Sequence, residues 1–271
     1  MPCRTHRARR LALASALAAL TALPAAAQPL DLSYKVYLGG VELLEAKARL
    51  SMGQERYGLE LSAATDGVIG RLASWSTNIK AEGALTGTGL PAPRLFRSDS
   101  VWREAPRITA LEYDSPGAAP RVTADPPPEK DREPVPDNLK AGTIDPMSAT
   151  VAVLDAVTQG RGCGATLPVY DGRQRYDMVL APQGTEQLAP SDVGAYAGPA
   201  EACRIEYKPV AGRWREQGRR DRDGDRRPRT ARTTVWFAKA VPGGPALPVR
   251  LESAGPLGTL VMHLAKVQPV G

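Results

Sequence analysis

Histidine and cysteine, the side chains that most often act in catalysis and metal binding, are scarce in this sequence. The chain has two histidines and three cysteines in 271 residues, and it contains no GxSxG, HExxH, P-loop or CxxC motif. His263 lies in a segment with strand-like alternation, which favours a structural or surface role. We therefore predict no enzyme, no cofactor and no metal site, although abundant Asp and Glu leave open a hydrolase that uses a carboxylate pair.

The most highly charged segment spans residues 213–232 and holds nine Arg and four acidic residues. Its stretch DRDGD is similar to a calcium loop, but the order of Asp and Gly differs from that of an EF-hand, and the arginines would repel a divalent cation. A solvated loop is one interpretation. The other is an interaction site in which guanidinium groups bind phosphate or carboxylate groups. The candidate residues for such a contact are Arg219, Arg220, Arg226 and Arg227.

A second charged cluster, DGRQRYD at 171–177, follows one segment of apolar alternation and precedes another. An Asp-Gly pair between such segments is typical of a β-hairpin, because a type I′ turn needs positive φ at both central residues. We therefore interpret Asp171 and Gly172 as a hairpin turn and not as part of a catalytic site.

The N-terminus has the features of a secretory signal. Four arginines precede an apolar run from Leu11 to Leu23, and the alanines at 25–27 provide small residues for cleavage near Ala27. The run is too short to cross a bilayer, and no later segment approaches the length of about 20 residues that a span needs. We expect a mature chain in the periplasm that begins near Gln28 and has no transmembrane span.

Removal of residues 1–27 also changes the charge of the protein. It takes away four of the 35 Lys and Arg and none of the 29 Asp and Glu, which leaves 31 against 29 and lowers the net charge from +6 to +2. A general attraction to nucleic acid is therefore not expected.

Cys163 and Cys203 are the two cysteines of the mature chain. An oxidising periplasm favours their pairing in a disulfide. The alternative is a reactive or metal-binding pair, but no histidine lies near either cysteine in the sequence.

Most of the chain alternates apolar and polar residues with a period of two, as half-buried strands do. In residues 41–52, Ala46 and Ala48 share one face while Glu45 and Lys47 share the other. Similar segments separated by Gly or Pro continue to the C-terminus, which favours an antiparallel meander over βαβ units. The predicted fold class is mainly β: an antiparallel meandering barrel, or a half-open barrel or sandwich, with one packing helix.

The helix is predicted at about 145–159, where Asp145 provides the N-cap, Pro146 the first helical position and Gly160 the stop. It would pack on or plug the sheet. Residues 115–142 contain seven prolines and are expected to form a surface excursion. We predict a single β domain over residues 28–271, with this Pro-rich excursion and the Arg-rich loop at 213–232 as its irregular parts.

Several short motifs occur in a specific order along the chain. They are YKVYLGG (34–40), GTIDPMSA (142–149), YDGRQRYD (170–177), GPAEAC (198–203), VWFA (235–238) and PVRLE (248–252). Together they resemble the domain-of-unknown-function family 3108, over essentially the whole mature chain. The resemblance implies a secreted envelope protein of Gram-negative bacteria, mostly β, with no established activity. It also implies that DGRQRYD is the central hairpin of the family, which the flanking cysteines pin to the next strand, and that the Arg-rich loop is an insertion.

We expect a non-enzymatic periplasmic protein that binds an envelope component, for which a lipid or another hydrophobic ligand is one candidate. The alternative is a protein-interaction or structural module of the envelope that uses the Pro-rich and Arg-rich segments as contact surfaces. A hydrophobic ligand would occupy a cavity in the sheet, although strand aromatics more often form core. The aromatic residues that such a cavity would use are Trp75, Phe96, Trp102, Trp236 and Phe237.

Overall fold

A computed structural model describes residues 28–65, 67, 70, 74–87, 89–215, 232–256 and 258–270. The predicted signal peptide, residues 1–27, lies outside the described residues. The described part contains thirteen strands, a 3-10 turn at Asp137–Leu139, and the helix α1 at Pro146–Thr158. Among the residues described, no helix has the length and apolar character that a membrane-spanning helix requires.

The strands fall into two groups that flank α1 in the sequence. The first group is β1 (Leu30–Leu38), β2 (Val41–Met52), β3 (Arg56–Thr65), β4 (Trp75–Ala84), β5 (Ala92–Trp102), β6 (Ala105–Glu112) and β7 (Arg121–Asp125). The second group is β8 (Ala165–Tyr170), β9 (Arg175–Leu188), β10 (Gly198–Ala211), β11 (Arg232–Ala238), β12 (Leu247–Gly255) and β13 (Gly258–Pro269).

All thirteen strands form one antiparallel sheet in the order β7-β6-β5-β4-β3-β2-β1-β13-β12-β11-β10-β9-β8. The first strand therefore pairs with the last, from Leu30 opposite Pro269 to Leu38 opposite Leu260. Each group is a meander in which neighbours in sequence are neighbours in the sheet, so short turns suffice for most connections. The predicted fold class, a mainly β antiparallel meander with one packing helix, is confirmed.

The period-two pattern of each strand separates the core from the outer face of the sheet. In β1, Leu30 and Leu32 are buried while Asp31 and Ser33 between them are not. The helix α1 fills the concave side, where Val151 and Leu154 are at most 3% exposed. Each fully buried side chain of this size stabilises the fold by about 1.5–3 kcal/mol. Of the five aromatic residues that a cavity would use, Phe96, Trp236 and Phe237 are buried in the core, Trp75 is partly buried against it, and Trp102 is 52% exposed.

Strands β7 and β8 are the two edge strands of the sheet. The segment between β7 and α1 closes the gap between these two edges, which we call the seam. The Glu133 N–H donates to the Arg213 carbonyl at 2.8 Å, beyond the end of β10. Further along the segment, the Ile144 N–H donates to Pro168 and the Ile144 carbonyl accepts from Tyr170 on β8, each at 2.9 Å. Segment 126–145 therefore covers a sheet edge that would otherwise expose unpaired backbone groups.

This segment corrects the prediction of an irregular surface excursion at 115–142. The excursion contains an edge strand, β7, because Arg121–Asp125 has no proline and its backbone N–H groups remain able to pair with β6. It also contains the buried residues Arg132 and Val135, each 8% exposed. Part of the excursion thus belongs to the sheet and to the core.

The turn at Asp171 and Gly172 joins β8 to β9 as predicted, but it is not a type I′ turn. Tyr170 and Arg175 form the last pair of the hairpin, so the loop has four residues. Gly172 has a φ of +91°, whereas Asp171 does not have a positive φ. The Asp171 carboxylate instead accepts hydrogen bonds from the backbone N–H groups of Arg173 and Gln174, at 2.9 and 2.7 Å. These two bonds stabilise the wider loop in place of a two-residue turn.

Candidate functional site

A groove of about 710 Å³ lies on the polar face of strands β1 to β5 and the adjoining part of β13, opposite the core. Alternation along each strand places a charged or hydrogen-bonding side chain at every second position of this face. The positively charged residues that line the groove are Lys47, Arg49, Lys80, Arg97 and Lys266. The negatively charged residues are Asp31, Glu45, Glu60 and Asp99.

One row of the groove alternates in charge from strand to strand. Asp31 lies opposite Arg49, Arg49 opposite Glu60, and Glu60 opposite Lys80. The Arg49 Nε donates to Asp31 Oδ1 at 2.7 Å, and this hydrogen bond lowers the pKa of the Asp31 carboxyl. Both side chains of this pair are about half exposed, so solvent screens their interaction. The row is therefore a solvated surface whose charges remain able to pair with a ligand.

From β13 to β4 the neighbouring row carries positive charge and neutral polar groups, and Asp99 follows on β5 opposite Asn78. Ser33 lies opposite both Lys266 and Lys47, Lys47 lies opposite Ser62, and Ser62 lies opposite Asn78. The Lys47 side chain is 73% exposed, and its Nζ lies 3.9 Å from Glu45 Oε1. Ammonium, hydroxyl and amide groups at this spacing provide hydrogen-bond partners for a polar ligand that carries negative charge.

The buried hydroxyl cluster, formed by Tyr57, Asp145 and Ser148, is the strongest candidate for chemistry in the interior. The Ser148 hydroxyl donates to Asp145 Oδ2, and the Tyr57 and Ser148 hydroxyls are 2.6 Å apart. Burial raises the pKa of Asp145 to about 6, although hydrogen bonds from Ser148 and the backbone oppose this. Both Asp145 and Ser148 are fully buried. Because solvent does not reach either group, we interpret the cluster as a structural attachment of α1 and not as a nucleophile with its base.

Around the seam, three arginines from different segments converge on one carboxylate. Arg107 Nη2 and Arg132 Nε donate to the two oxygens of Glu129, at 2.7 and 3.0 Å. Arg173, from the DGRQRYD motif, donates from Nη2 to the Pro126 carbonyl at 2.8 Å. Burial opposes ionisation of Glu129, yet hydrogen bonds from a backbone N–H, Arg132 and Arg107 lower its pKa to about 2. We call Arg107, Glu129, Arg132 and Arg173 the seam cluster.

Cys163 and Cys203 form a disulfide, with their Cα atoms 6.4 Å apart, which confirms their predicted pairing. Glu201 lies beside them, close enough to complete a three-ligand metal site. The disulfide consumes both thiolates, however, and the Glu201 carboxylate accepts a hydrogen bond from the Cys163 N–H at 2.7 Å. The residues are therefore explained by structural roles.

The other residues singled out in the sequence lie elsewhere. His263 contacts Tyr37 edge to face, with ring centroids 6.2 Å apart. Burial, followed by the nearby charge of Arg250, lowers the pKa of His263. The proposed contact residues of the Arg-rich loop lie outside the described residues; they are Arg219, Arg220, Arg226 and Arg227.

Sequence reasoning missed both the groove and the seam cluster. The groove depends on which strands are neighbours, and strand periodicity predicts faces but not neighbours. The seam cluster combines β6, the Pro-rich segment and the loop after β8, at positions 107, 129, 132 and 173. Only the presence of Arg173 in a recognisable motif pointed to this region.

Comparison with known proteins supports a family but no activity. The structure of a beta-barrel-like protein of the domain of unknown function DUF1849 from Brucella abortus is similar, with 9% sequence identity and a TM-score of 0.49. The similarity covers 90% of this chain and 98% of that chain. No curated protein matches the chain at a significant level. The model of the family described as protein of unknown function (DUF3108) matches residues 33–265, and the chain therefore belongs to the DUF3108 family.

Proposed function

We propose that the mature chain is a non-enzymatic protein of the periplasm that binds a polar, negatively charged component of the cell envelope. The observation that carries this proposal is the groove of about 710 Å³ on the polar face of β1 to β5. Its volume is within the range of about 300–1,000 Å³ that ligand pockets usually occupy. Five cationic and four acidic side chains line it, which favours a ligand with negative charge.

The position of α1 favours a polar ligand over a hydrophobic one. A carrier of acyl chains needs an apolar cavity, and the concave side of this sheet is where such a cavity would lie. Here that side packs against α1, in which Ala149 and Val151 have no exposed surface. A lipid would have to displace the helix and expose this apolar surface to water.

The periplasmic location is supported by the leader-like residues at the N-terminus and by the disulfide. Thiols in the cytosol stay reduced, whereas exported proteins keep disulfides of this kind. The absence of enzymatic activity is supported by the burial of the Asp145–Ser148 pair and by the small number of histidines.

Native mass spectrometry of the disulfide-intact protein, purified from periplasm, tests this proposal. The wild type should carry an adduct, and the double variant Lys47→Gln with Lys266→Gln should lose it. Lys208→Gln is the matched control, because Lys208 is an exposed strand lysine that pairs with Glu206 outside the groove. An adduct that organic solvent extracts and that survives in the double variant would instead identify a hydrophobic ligand bound elsewhere.

A protein-interaction module is the second candidate function. The observation in its favour is the tip of the β5–β6 hairpin, where Val101 and Trp102 are 38% and 52% exposed. Exposed aromatic residues of this size often anchor protein interfaces. A wild-type protein without any adduct would favour this function, and Trp102→Ala should then reduce crosslinking to its partner in the periplasm.

A further inference from the structure

The seam cluster has more positive than negative charge. Three guanidinium groups surround the single carboxylate of Glu129. Asp171 is the other acidic residue whose charge acts on Arg173, and its Oδ1 already accepts two backbone hydrogen bonds. Even if Asp171 is counted, one positive charge remains. Because the Arg107 side chain is 47% exposed, this excess positive charge faces solvent and can attract an anion.

One guanidinium in the cluster is also incompletely paired. Arg173 is 8% exposed, and its buried Nη1 has no hydrogen-bond partner among the residues that the structure describes. This nitrogen lies 3.9 Å from Glu129 Oε2, an oxygen that already accepts from Arg132 at 3.0 Å. An unsatisfied buried donor is rare and calls for an explanation.

Arg132 differs from the other two arginines because it contacts the end of β10 as well as Glu129. Its Nη1 donates to the Gly212 carbonyl at 2.8 Å, and its guanidinium carbon lies 4.2 Å from the centre of the Trp214 ring. These contacts hold the seam segment against the end of β10. Arg132 therefore stabilises the seam. Arg107 and Arg173 retain N–H groups that can donate hydrogen bonds to a ligand.

We propose that Arg107 and Arg173 bind a phosphate group at the seam. A guanidinium presents a planar fork of donors that matches phosphate oxygens, and a phosphate ester carries enough negative charge to neutralise the excess. The Arg107 side chain is 47% exposed, so an anion reaches it from solvent, and Arg173 is close enough for the two charges to interact. Glu129 occupies part of the same donor set and competes with the ligand. None of the four residues lines the groove on β1 to β5, so this site is separate from that of the proposed function.

Isothermal titration of the folded, disulfide-intact protein with inorganic phosphate at constant ionic strength tests the proposal. Wild type should bind phosphate in preference to chloride. Arg107→Gln should weaken binding about tenfold or more, because a charge-assisted pair is lost. Glu129→Gln should strengthen it, because the competing carboxylate is removed. Arg121→Gln is the control, since Arg121 is an exposed arginine on the neighbouring strand that pairs with Glu112 and Asp114.

The increase in affinity with Glu129→Gln is the informative result, because loss of a merely structural contact would not improve binding. If this variant fails to fold, the proposal is still tested by comparing the phosphate affinities of Arg107→Gln and Arg121→Gln. Binding that is equal in wild type and Arg107→Gln, or equal for phosphate and chloride, would overturn the proposal. So would the absence of binding in both wild type and Glu129→Gln.

Vesicles identify the source of the phosphate. Binding to phosphatidate vesicles but not to phosphatidylcholine vesicles, with loss in Arg107→Gln, assigns a lipid headgroup to the site. Binding of inorganic phosphate without any binding to phosphatidate vesicles assigns a soluble phosphate ester. Both results support the site, and neither depends on whether the groove binds an envelope component.

Discussion

The hydroxyl of Tyr57 lies 2.6 Å from that of Ser148, although 91 residues separate the two in sequence. This contact attaches the first turn of α1 to strand β3 inside the core. Gly83 on the adjacent strand permits it, because a β-carbon at that position would lie only 2.6 Å from the Tyr57 hydroxyl oxygen. The position of the helix within the sheet is thus fixed by a buried polar network in addition to apolar packing.

Removal of the hydroxyl at the centre of this network should destabilise the protein. Ser148→Ala leaves the Tyr57 hydroxyl and one oxygen of Asp145 without their partner, so we expect a loss of about 1–3 kcal/mol in the free energy of unfolding. Urea denaturation measures it. Tyr37→Phe is the control, because the Tyr37 hydroxyl makes a 3.4 Å contact with Glu42 at the surface. Equal stability of the two variants would show that the network contributes nothing.

The pKa of Asp145 predicts a specific dependence of stability on pH. Burial raises the pKa of the Asp145 carboxyl to about 6, from an ordinary value of 3.8. Below about pH 4 the group is protonated in both the folded and unfolded states. As the pH rises towards 6, the unfolded state loses its proton first, so stability falls. Asp145→Asn cannot titrate, but its amide oxygen can still cap the helix.

The free energy of unfolding of Asp145→Asn should therefore rise relative to that of wild type between about pH 4 and pH 6. Urea denaturation of both proteins at several pH values in this range measures the difference. Parallel profiles for the two proteins would mean that Asp145 has the same pKa in the folded and unfolded states.

Gly172 should not tolerate a side chain. Its φ of +91° is unfavourable for other residues, and a β-carbon there would collide with the Thr109 methyl group on β6. Gly172→Ala should cost about 1–3 kcal/mol, because it strains the backbone and separates the loop from β6. Gly184→Ala is a close control, since Gly184 has a φ of +97° but open space around its Cα. Thermal unfolding of both variants separates the backbone cost, which they share, from the clash, which only Gly172 has.

Reduction of the disulfide should weaken the fold without changing its architecture. Cys163 and Cys203 are 40 residues apart, and closure of a loop of this length stabilises the folded state by about 3–4 kcal/mol in the chain-entropy model. The double variant Cys163→Ser with Cys203→Ser should lose a similar amount in urea denaturation. Wild type in reductant should match the variant, and a variant as stable as oxidised wild type would contradict this prediction.

The features that follow from local sequence were predictable. Alternation in β1 and β2 predicts strands because a strand places successive side chains on opposite faces. Asp145, Pro146 and Gly160 predict both ends of α1 because capping depends on residues next to the helix termini. The disulfide follows from there being two cysteines beyond the predicted signal peptide. Each of these inferences needs only nearby residues or a count.

The conformations of two turns could not be predicted from the turn residues alone. Arg103 and Glu104 both adopt positive φ, at 46° and 67°, as in a type I′ turn, although neither residue favours that conformation. The Asp171-Gly172 pair, which does favour it, forms a wider loop. Strand pairing on either side imposes the turn at Arg103, while contacts with Thr109 and Pro126 fix the loop at Gly172. Interactions across the sheet therefore outweighed the preference of the turn residues.

The sequence by itself determined the strands, the helix with its caps, the disulfide and the family, because each depends on periodicity, neighbouring residues or an ordered set of motifs. Only the tertiary structure decided that α1 fills the concave side, that a charged groove lies on the opposite face, and that Arg107, Arg132 and Arg173 meet at Glu129. These features depend on strand order and on how the seam is closed. Both result from contacts between residues far apart in the chain, which no local pattern encodes.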